Sequence, residues 1–497
     1  MIVLSLNRKS KTSLSRQVFT EISEMIENNT LPPGTKLPSS RILAEKHGVS
    51  RNVVYNAYEE LWGQGYVDSR PGSYTVVRKK TPGIQMTQRE EKGLIDWNNA
   101  VSLKSKEVYD IISKYPRSGY PMKSSDIIDM STLDLDHRVL PYDDFRKCIN
   151  TVIVKQPYIF NYGEPEGYFP LRSFISSRLQ THGIHVSPEE ILITNGTQHS
   201  LDLTLRLLGK PGSVIVTENP TYFLAFPLFQ FYQTEIISVS MSEEGINLRE
   251  LEKTMRSGNV SFVYTTPNFH NPTGITMSPE VRENLVRICE KYHVPIVEDA
   301  FEEEMKYFGR VPLSIKSMDK NQIVIYMSSF SKVLFPGVRI GWIAADKDFI
   351  KIASAVKKTS DLATNSIIQS ALFEFCRQGY YEIHIKRMNR IYKKRMQTAL
   401  NVLKNELSSD HISWSEPLGG YLIWLKLSRL NISEEELHGI FKNFKINVAP
   451  GSLYFNNQPA DYFIRISISQ LNEDEIIEGL KRLKNALAEI YQKWSAG

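Results

Sequence analysis

The sequence predicts two folded regions, a small N-terminal α+β domain and a larger α/β domain with a mainly parallel sheet. Its 497 residues are too many for one compact core. Residues 1–80 combine helical patterns with two short strands, and from residue 126 to residue 497 buried strand patterns alternate with longer helical ones. Between them, periodicity fades over residues 81–125, apart from a turn or two of helix at 106–113. We therefore expect an interdomain linker there.

The excess positive charge lies at the N-terminus. Residues 1–80 contain 12 Lys and Arg against 7 Asp and Glu, whereas the rest of the chain carries 48 residues of each sign. A basic domain of this kind suits a polyanionic partner. Short basic ends are common, however, so charge alone does not decide the point.

Cysteine usage and hydropathy indicate the cellular compartment of the protein. Cys148, Cys289 and Cys376 are odd in number and far apart, which fits neither a disulfide framework nor a zinc site, so no metal is expected. No run of about 18 apolar residues occurs, and the apolar start is too short for a signal peptide. We expect a cytoplasmic protein that does not span a membrane.

Three helices and a hairpin are predicted in the first eighty residues. A helix over 13–29 is followed by a short one over 38–48 that ends at glycine, and by another that begins at Ser50, a good N-cap. Two short helices joined by a glycine-containing turn are typical of a helix-turn-helix. Two strands around a Pro-Gly turn follow over 65–77 and would form a wing. A plain helical bundle with a solvated basic face would share part of this pattern.

Polar side chains crowd the first turns of the third helix, the part that reaches base edges when such a helix enters the major groove. The strings LPPGTKLPSSRILAEKHGVSRNVVYNAYEELWGQGYV and SRPGSYTVV resemble the GntR family of winged-helix regulators over about residues 10–78. This resemblance implies binding to double-stranded operator DNA. The expected contacts are Arg41, Ser50, Arg51, Asn52 and Tyr55 in the helices and Arg70 in the wing.

Five apolar runs without polar alternation predict strands that are buried on both faces, as in a parallel sheet covered by helices. They begin at Ile191, Ser213, Val260, Val294 and Ile323. Ligands of such sheets bind beyond the carboxyl ends of the strands. The polar residues that follow the five runs should therefore meet in space.

The polar residues after these runs have complementary chemistry. NGTQ opens a helix at 195–198, a place that suits a phosphate, and Tyr222 offers an aromatic face. Asp299 follows the fourth run, and SSFSK ends the fifth at Lys332. An amine, a carboxylate, an aromatic ring and phosphate-binding groups are what pyridoxal 5′-phosphate (PLP) requires. Each residue alone has an ordinary structural explanation, and only the ordered set is specific.

From about residue 126 onward this order resembles the fold-type I PLP enzymes, the aspartate aminotransferase superfamily. Lys332 would be the Schiff-base lysine. The resemblance also implies cofactor contacts by Asp299 at the pyridine nitrogen, Tyr222 on the ring, Asn271 at the phenolic oxygen, and Gly196, Thr197, Gln198, Ser329 and Arg339 around the phosphate. In NYGEPEGYFPLR, Tyr162 would reach the phosphate of a neighbouring subunit, and in YFIRISIS, Arg465 would bind an amino acid's α-carboxylate.

One residue departs from that family's pattern. The enzymes usually carry a tyrosine shortly after the cofactor aspartate, and the corresponding residue here is Phe301. Loss of the hydroxyl would shift the pKa of the lysine–cofactor linkage and weaken catalysis without preventing PLP binding.

A GntR-type domain followed by a linker and an aminotransferase-like domain resembles the MocR subfamily of bacterial regulators. That resemblance implies a homodimer, often domain-swapped, in which PLP or its adduct with an amine is the signal. An active aminotransferase with an accessory DNA-binding domain is the alternative, because Lys332, Asp299 and Arg465 are intact. The sequence leaves open the effector, the target operon and the choice between activation and repression.

Overall fold

The computed structural model describes residues 2–69, 74–78, 94–113, 126–430 and 432–494. The chain divides into two compact units, Met1–Ala100 and Val101–Gly497. Within the described ranges, no helix combines the length and the apolar character needed to cross a lipid bilayer.

The N-terminal unit contains the predicted helix-turn-helix and hairpin. Its elements are α1 (Leu14–Glu27), α2 (Ser40–His47), α3 (Arg51–Gly63), β1 (Val67–Ser69), β2 (Thr75–Val77) and α4 (Trp97–Ala100). β1 and β2 pair antiparallel. The inward stripe of α3, predicted at Val54, Ala57 and Leu61, is fully buried.

The helix boundaries of this unit follow capping rules. The Ser39 hydroxyl accepts the Ile42 N–H at the start of α2, and Gly48 ends that helix in the left-handed conformation at φ 60°. Ser50 takes the N-cap position of α3 as expected, but its side chain makes no capping hydrogen bond. The hydroxyl of Ser50 therefore remains available at an exposed position.

The larger unit is built around an eight-stranded sheet. In chain order its strands are β4 (Ile191–Thr194), β5 (Val214–Asn219), β6 (Glu235–Ser242), β7 (Gly245–Ile246), β8 (Val260–Thr265), β9 (Ile296–Asp299), β10 (Val324–Ser329) and β11 (Gly341–Ala344), and in space they are ordered β4-β11-β10-β9-β8-β5-β6-β7. The five predicted strands are β4, β5, β8, β9 and β10. They all run in the same direction, because β11 lies between β10 and β4 and pairs antiparallel with both. β7, at the other edge, pairs antiparallel with β6.

Helices cover the sheet and explain the continuous apolar runs. They are α6 (Tyr142–Lys155), α7 (Phe169–Thr181), α8 (Thr197–Leu208), α9 (Ala225–Phe231), α10 (Leu248–Arg256), α11 (Pro279–Tyr292), α12 (Lys347–Asp361), α13 (Ser366–Arg377) and α14 (Tyr380–Val402). Every residue of β4, β9 and β10 is buried. Strands enclosed on both faces have no reason to alternate polar and apolar side chains.

The C-terminal part adds a four-stranded antiparallel sheet of β12 (Ile412–Trp414), β13 (Leu422–Leu427), β15 (Ala449–Pro450) and β16 (Tyr462–Ser467), together with α15 (Glu434–Asn443) and α16 (Glu473–Trp494). A short strand β14 (Ile446–Asn447) pairs in parallel with β3 (Ile128–Asp129). This pairing brings the start of the domain beside β16, which carries Arg465.

Helix α5 (Leu103–Ser113) is longer than the turn or two expected at 106–113, and it packs against α9. None of its residues is buried. An element without a buried face needs no apolar stripe, which is why its pattern was weak in the sequence.

Candidate functional site

A cavity of about 410 Å³ lies at the carboxyl ends of the parallel strands. Ten of the residues predicted to form the site line it, namely Thr197, Gln198, Tyr222, Asn271, Asp299, Phe301, Ser329, Lys332, Arg339 and Arg465. They come from segments that are distant in sequence. Nine of them lie at or beyond the carboxyl ends of parallel strands, whose common direction brings them to one edge of the sheet, whereas Arg465 lies on β16 of the antiparallel sheet.

Lys332 lies shortly after β10, and its Nζ donates to the Leu133 carbonyl at 2.9 Å. The Tyr421 hydroxyl donates to the Lys332 carbonyl at 2.6 Å, which fixes the backbone of this turn. Burial lowers the pKa of the Lys332 amine, although Asp134 and Glu302 oppose the shift. A lowered pKa increases the neutral, nucleophilic fraction of the amine.

Asp299 ends β9 with a half-satisfied carboxyl group. Oδ2 accepts from the Tyr264 hydroxyl at 2.9 Å, whereas Oδ1 is buried and has no hydrogen-bond partner among the described residues. Burial raises the pKa of Asp299 to about 7. A buried polar atom without a partner is costly, so this oxygen is suited to a donor that a ligand brings.

An anion cradle forms where β4 leads into α8. Gly196, at φ 95°, precedes the helix, and a Cβ at this position would lie 2.8 Å from an Arg339 guanidinium nitrogen. The Arg339 Nη2 donates to the Asn195 carbonyl at 2.6 Å. Free N–H groups at a helix start, hydroxyls and a guanidinium are the groups that hold a phosphate. Gly196 therefore adjoins the cavity and allows the close approach of Arg339.

Arg465, on β16, occupies the opposite wall of the cavity and is only 4% exposed. Its Nη1 donates to Asn271 Oδ1 at 3.0 Å and its Nη2 to the Ser131 carbonyl at 2.5 Å. Its Nε is buried and has no partner within the part of the chain that the structure describes. A buried guanidinium with spare donor capacity suits a carboxylate.

A buried histidine–glutamate pair supports the turn that presents Asn271. His270 Nε2 lies 3.3 Å from Glu218 Oε2, and His270 Nδ1 lies 2.8 Å from the Thr273 hydroxyl. The hydrogen bonds that Glu218 accepts come from the Thr265 hydroxyl and the Thr266 N–H. The end of β5 is thus tied to the end of β8, which fixes the amide of Asn271 in the cavity wall.

Two further predicted residues are placed as follows. Phe301 lines the cavity two positions after Asp299 and offers no hydroxyl there. Tyr162 does not line this cavity. Its side chain is 87% exposed beside a separate surface hollow, together with Tyr158 and Phe169. One chain alone therefore does not bring Tyr162 to the other site residues.

The predicted DNA-contacting side chains lie on the N-terminal unit. Arg41, Ser50, Arg51, Asn52 and Tyr55 are all exposed, with Tyr55 at 51%. They stand at the start of α2 and over the first turns of α3. The expected phosphate contact of Arg70 lies outside the described residues.

Two groups of residues at this site were not predicted from the sequence. One is the segment 131–134, whose Ser131, Leu133 and Asp134 line the cavity. No strand pattern marked this segment, because it is held by β3 pairing with a strand more than 300 residues away. The other is Tyr264, the partner of Asp299. A hydroxyl in the middle of an apolar strand was a signal that could have identified it.

Comparisons with known proteins agree with this geometry. The family model "Aminotransferase class I and II" matches residues 126–483, and "Bacterial regulatory proteins, gntR family" matches residues 14–77. The HTH-type transcriptional regulator YdfD of Bacillus subtilis, itself uncharacterised, is 31% identical over 481 residues, which is 96% of each chain. This chain belongs to the MocR subfamily of GntR-family regulators. Both domains and their order are those of that subfamily.

The larger domain of this MocR chain is also similar to enzymes that lack the N-terminal unit. Aromatic-amino-acid aminotransferase 1 of Thermococcus litoralis is 31% identical over 79% of this chain and 94% of its own. The crystal structure of Pyrococcus horikoshii kynurenine aminotransferase, in complex with PMP, superposes with a TM-score of 0.71 at 29% identity, over 80% of this chain and 97% of that one. The larger domain therefore has the fold-type I aminotransferase fold.

The raised pKa of Asp299 predicts a pH-dependent stability. Between pH 3.8, the ordinary pKa of the group, and about pH 7, the unfolded state releases the proton while the folded state keeps it. The free energy of unfolding therefore falls as pH rises through this window. We expect Asp299→Asn to gain stability over the parent MocR chain across this window, on the order of 4 kcal/mol at most.

Calorimetric unfolding of the ligand-free chains from pH 4.5 to 8 measures this difference. The matched control is Asp143→Asn, because the Asp143 side chain is 83% exposed on α6. A constant difference between Asp299→Asn and the parent chain over this pH range would contradict the prediction.

Proposed function

We propose that this chain is a PLP-dependent transcriptional regulator that binds operator DNA through its winged helix and senses PLP, or a PLP–amine adduct, in its aminotransferase-like domain. The observation that carries the proposal is the single cavity lined by Lys332, Asp299, Arg339 and Arg465. It lies in a chain that also carries a GntR-type helix-turn-helix.

The residues of the cavity fit PLP. The unpartnered Oδ1 of Asp299 would accept from the protonated pyridine nitrogen, and the Gly196–Arg339 cradle would hold the phosphate. Tyr222 offers a face for the ring, and Asn271 an amide for the phenolic oxygen. When bound, PLP supplies an aldehyde that amines attack and a ring that withdraws electrons.

The chain's own groups account for capture and exchange. Lys332 would be the amine that meets the cofactor aldehyde, and burial lowers its pKa, which favours the nucleophilic form. Asp299 would face the pyridine nitrogen and stabilise its proton through Oδ1, which has no partner among the described residues. Arg465 would bind and orient an effector carboxylate, which would place the effector amine beside Lys332.

Regulation requires that this exchange changes DNA affinity. The exposed Arg51 and Asn52 at the start of α3 would contact base edges, and Arg41 and Ser50 would position the unit on the phosphates. The effector acts allosterically only if the free and loaded states differ in affinity for both effector and operator. Whether the loaded state activates or represses depends on where the operator lies.

The direct test is a footprint of the full chain on the intergenic DNA beside its own gene, with and without PLP and a panel of amines. We expect protection of two half-sites and a change of the protected region on effector addition. Arg51→Ala should lose about 1–3 kcal/mol of specific DNA-binding free energy. Arg287→Ala is the matched control, because its side chain is 70% exposed on α11 of the larger unit.

Lys332→Ala separates sensing from DNA binding. It should bind the operator without ligand as the parent chain does and should lose the response to amines. The proposal is wrong if PLP leaves the absorbance of the parent chain unchanged, or if no flanking DNA is protected.

Homodimerisation, with domain swapping, is part of the proposal. An exposed apolar surface runs from the end of α6 to the start of α7, where Val154, Tyr158, Phe160, Tyr162 and Phe169 are 80%, 60%, 62%, 87% and 47% exposed. Contiguous apolar surface of this kind marks a protein contact. A second copy seated there would cover it and bring Tyr162 towards the neighbouring phosphate cradle.

We expect Val154→Glu combined with Phe160→Glu to convert a dimer into a monomer, because two charges would be buried in an apolar contact. Sedimentation velocity measures the change. Ile352→Glu, at a 58% exposed position on α12, is the control and should remain dimeric. A parent chain that sediments as a monomer at micromolar concentration would contradict the dimer.

An active aminotransferase is the second candidate, favoured by the presence of Lys332, Asp299 and Arg465 in one cavity. We expect little turnover, since Phe301 supplies no hydroxyl to tune the lysine–cofactor linkage. Keto-acid release from amino acids by the PLP-loaded chain decides between the two. Sustained release above about 1 s⁻¹ would favour the enzyme. Phe301→Tyr should increase the rate if that hydroxyl is what is lacking.

A further inference from the structure

The charged groups of the cavity restrict what an effector can be. Five charged side chains line it, namely Asp134, Asp299, Lys332, Arg339 and Arg465. The proposed function assigns Asp299, Lys332 and Arg339 to PLP. Only Arg465 and Asp134 remain to meet the effector.

Arg465 can receive one carboxylate. Its Nη1 and Nη2 already bond Asn271 and Ser131, and its Nε is the donor without a partner in the described part of the chain. An α-carboxylate would satisfy Nε and replace the Ser131 carbonyl in a bidentate contact. The other cations among the described residues that line the cavity in one chain are Lys332 and Arg339, and the proposed function places both at PLP.

The wall beside Arg465 is apolar. Leu133, Phe223, Leu453 and Tyr454 line it, and the Arg465 guanidinium lies 5.1 Å from the centre of the Tyr454 ring. Aromatic contacts hold these side chains in place, so the wall keeps its shape. Phe223 meets Tyr454 edge to face at 5.4 Å, and Trp424 meets the other side of Tyr454 at 5.8 Å.

Asp134 adds a negative charge to the cavity that this apolar wall lines. It lines the same cavity, and its charge opposes the lowering of the Lys332 pKa more than that of Glu302 does. A second effector carboxylate would therefore meet a like charge and an apolar surface instead of a cation. An apolar side chain would instead displace water from Leu133, Phe223 and Leu453.

We propose, resting on the function proposed above, that the effector is a monocarboxylic α-amino acid with a large apolar or aromatic side chain. Arg465 takes its carboxylate, and the wall of Leu133, Phe223, Leu453 and Tyr454 takes its side chain. Dicarboxylic amino acids are disfavoured because their second carboxylate would meet Asp134 and the apolar wall. Amino acids without a large side chain displace no water from the apolar wall, and they therefore bind weakly.

The test titrates the full, PLP-loaded chain with L-phenylalanine, L-leucine, L-alanine, L-glutamate and 4-aminobutyrate, and follows the visible absorbance of the bound cofactor. We expect phenylalanine and leucine to bind at least about tenfold more tightly than alanine, as burial of a large apolar side chain requires. Glutamate and 4-aminobutyrate should bind no better than alanine. The operator footprint should respond in the same order.

Two variants test the individual groups. Asp134→Asn should increase glutamate affinity about threefold or more while phenylalanine affinity stays within about twofold. Asp143→Asn, at an exposed position on α6, is the matched control and should change neither. Leu453→Arg places a cation in the wall and should make glutamate the preferred ligand, with PLP uptake as the check that the variant folds.

The outcomes distinguish a failure of the proposed effector class from a failure of the proposed function. If the parent chain takes up no PLP, both are overturned. If it takes up PLP but prefers glutamate or 4-aminobutyrate, or does not discriminate among the five compounds, only the effector class is wrong.

Discussion

The site depends on the burial of ionisable groups at one edge of a parallel sheet. Strands that run in the same direction deliver Asp299, Lys332 and the start of α8 to a region with little water. Burial raises the pKa of the Asp299 carboxyl and lowers that of the Lys332 amine, because it disfavours the charged form of each group. A ligand that offers a proton to Asp299 and an aldehyde to Lys332 would offset the cost of burying both groups. The groups that suit the cofactor and the shifted pKa values of Asp299 and Lys332 thus have the same origin.

Much of this arrangement could be predicted from the sequence because its signals are local. An apolar run followed by a polar residue identifies a strand end, and NGTQ before a helix identifies an anion site, whatever the rest of the chain does. The parallel direction of the five strands then follows from their lack of alternation. Nine of the ten predicted residues that line the cavity do so for this reason, and Arg465 reaches it from the antiparallel sheet.

The remaining features depend on contacts between distant parts of the chain. Asp136 is 2% exposed and pairs with Arg395 at 2.6 Å and with Arg138 at 2.8 Å, and these bonds anchor the segment 131–134 over the cavity. Nothing near Asp136 in the sequence predicts a partner more than 250 residues away. The length of α5 was missed for a different reason, since a helix without buried residues carries no periodic signal.

Segment 131–134 also links the two ligands. The Leu133 carbonyl accepts a hydrogen bond from the amine of Lys332. The Ser131 carbonyl, two residues earlier, accepts one from the guanidinium of Arg465. Under the proposed function, each ligand would displace one of these internal partners, and the second ligand would then meet a smaller opening cost. Positive cooperativity between cofactor and effector would follow, with the backbone of residues 131–133 as the shared competitor.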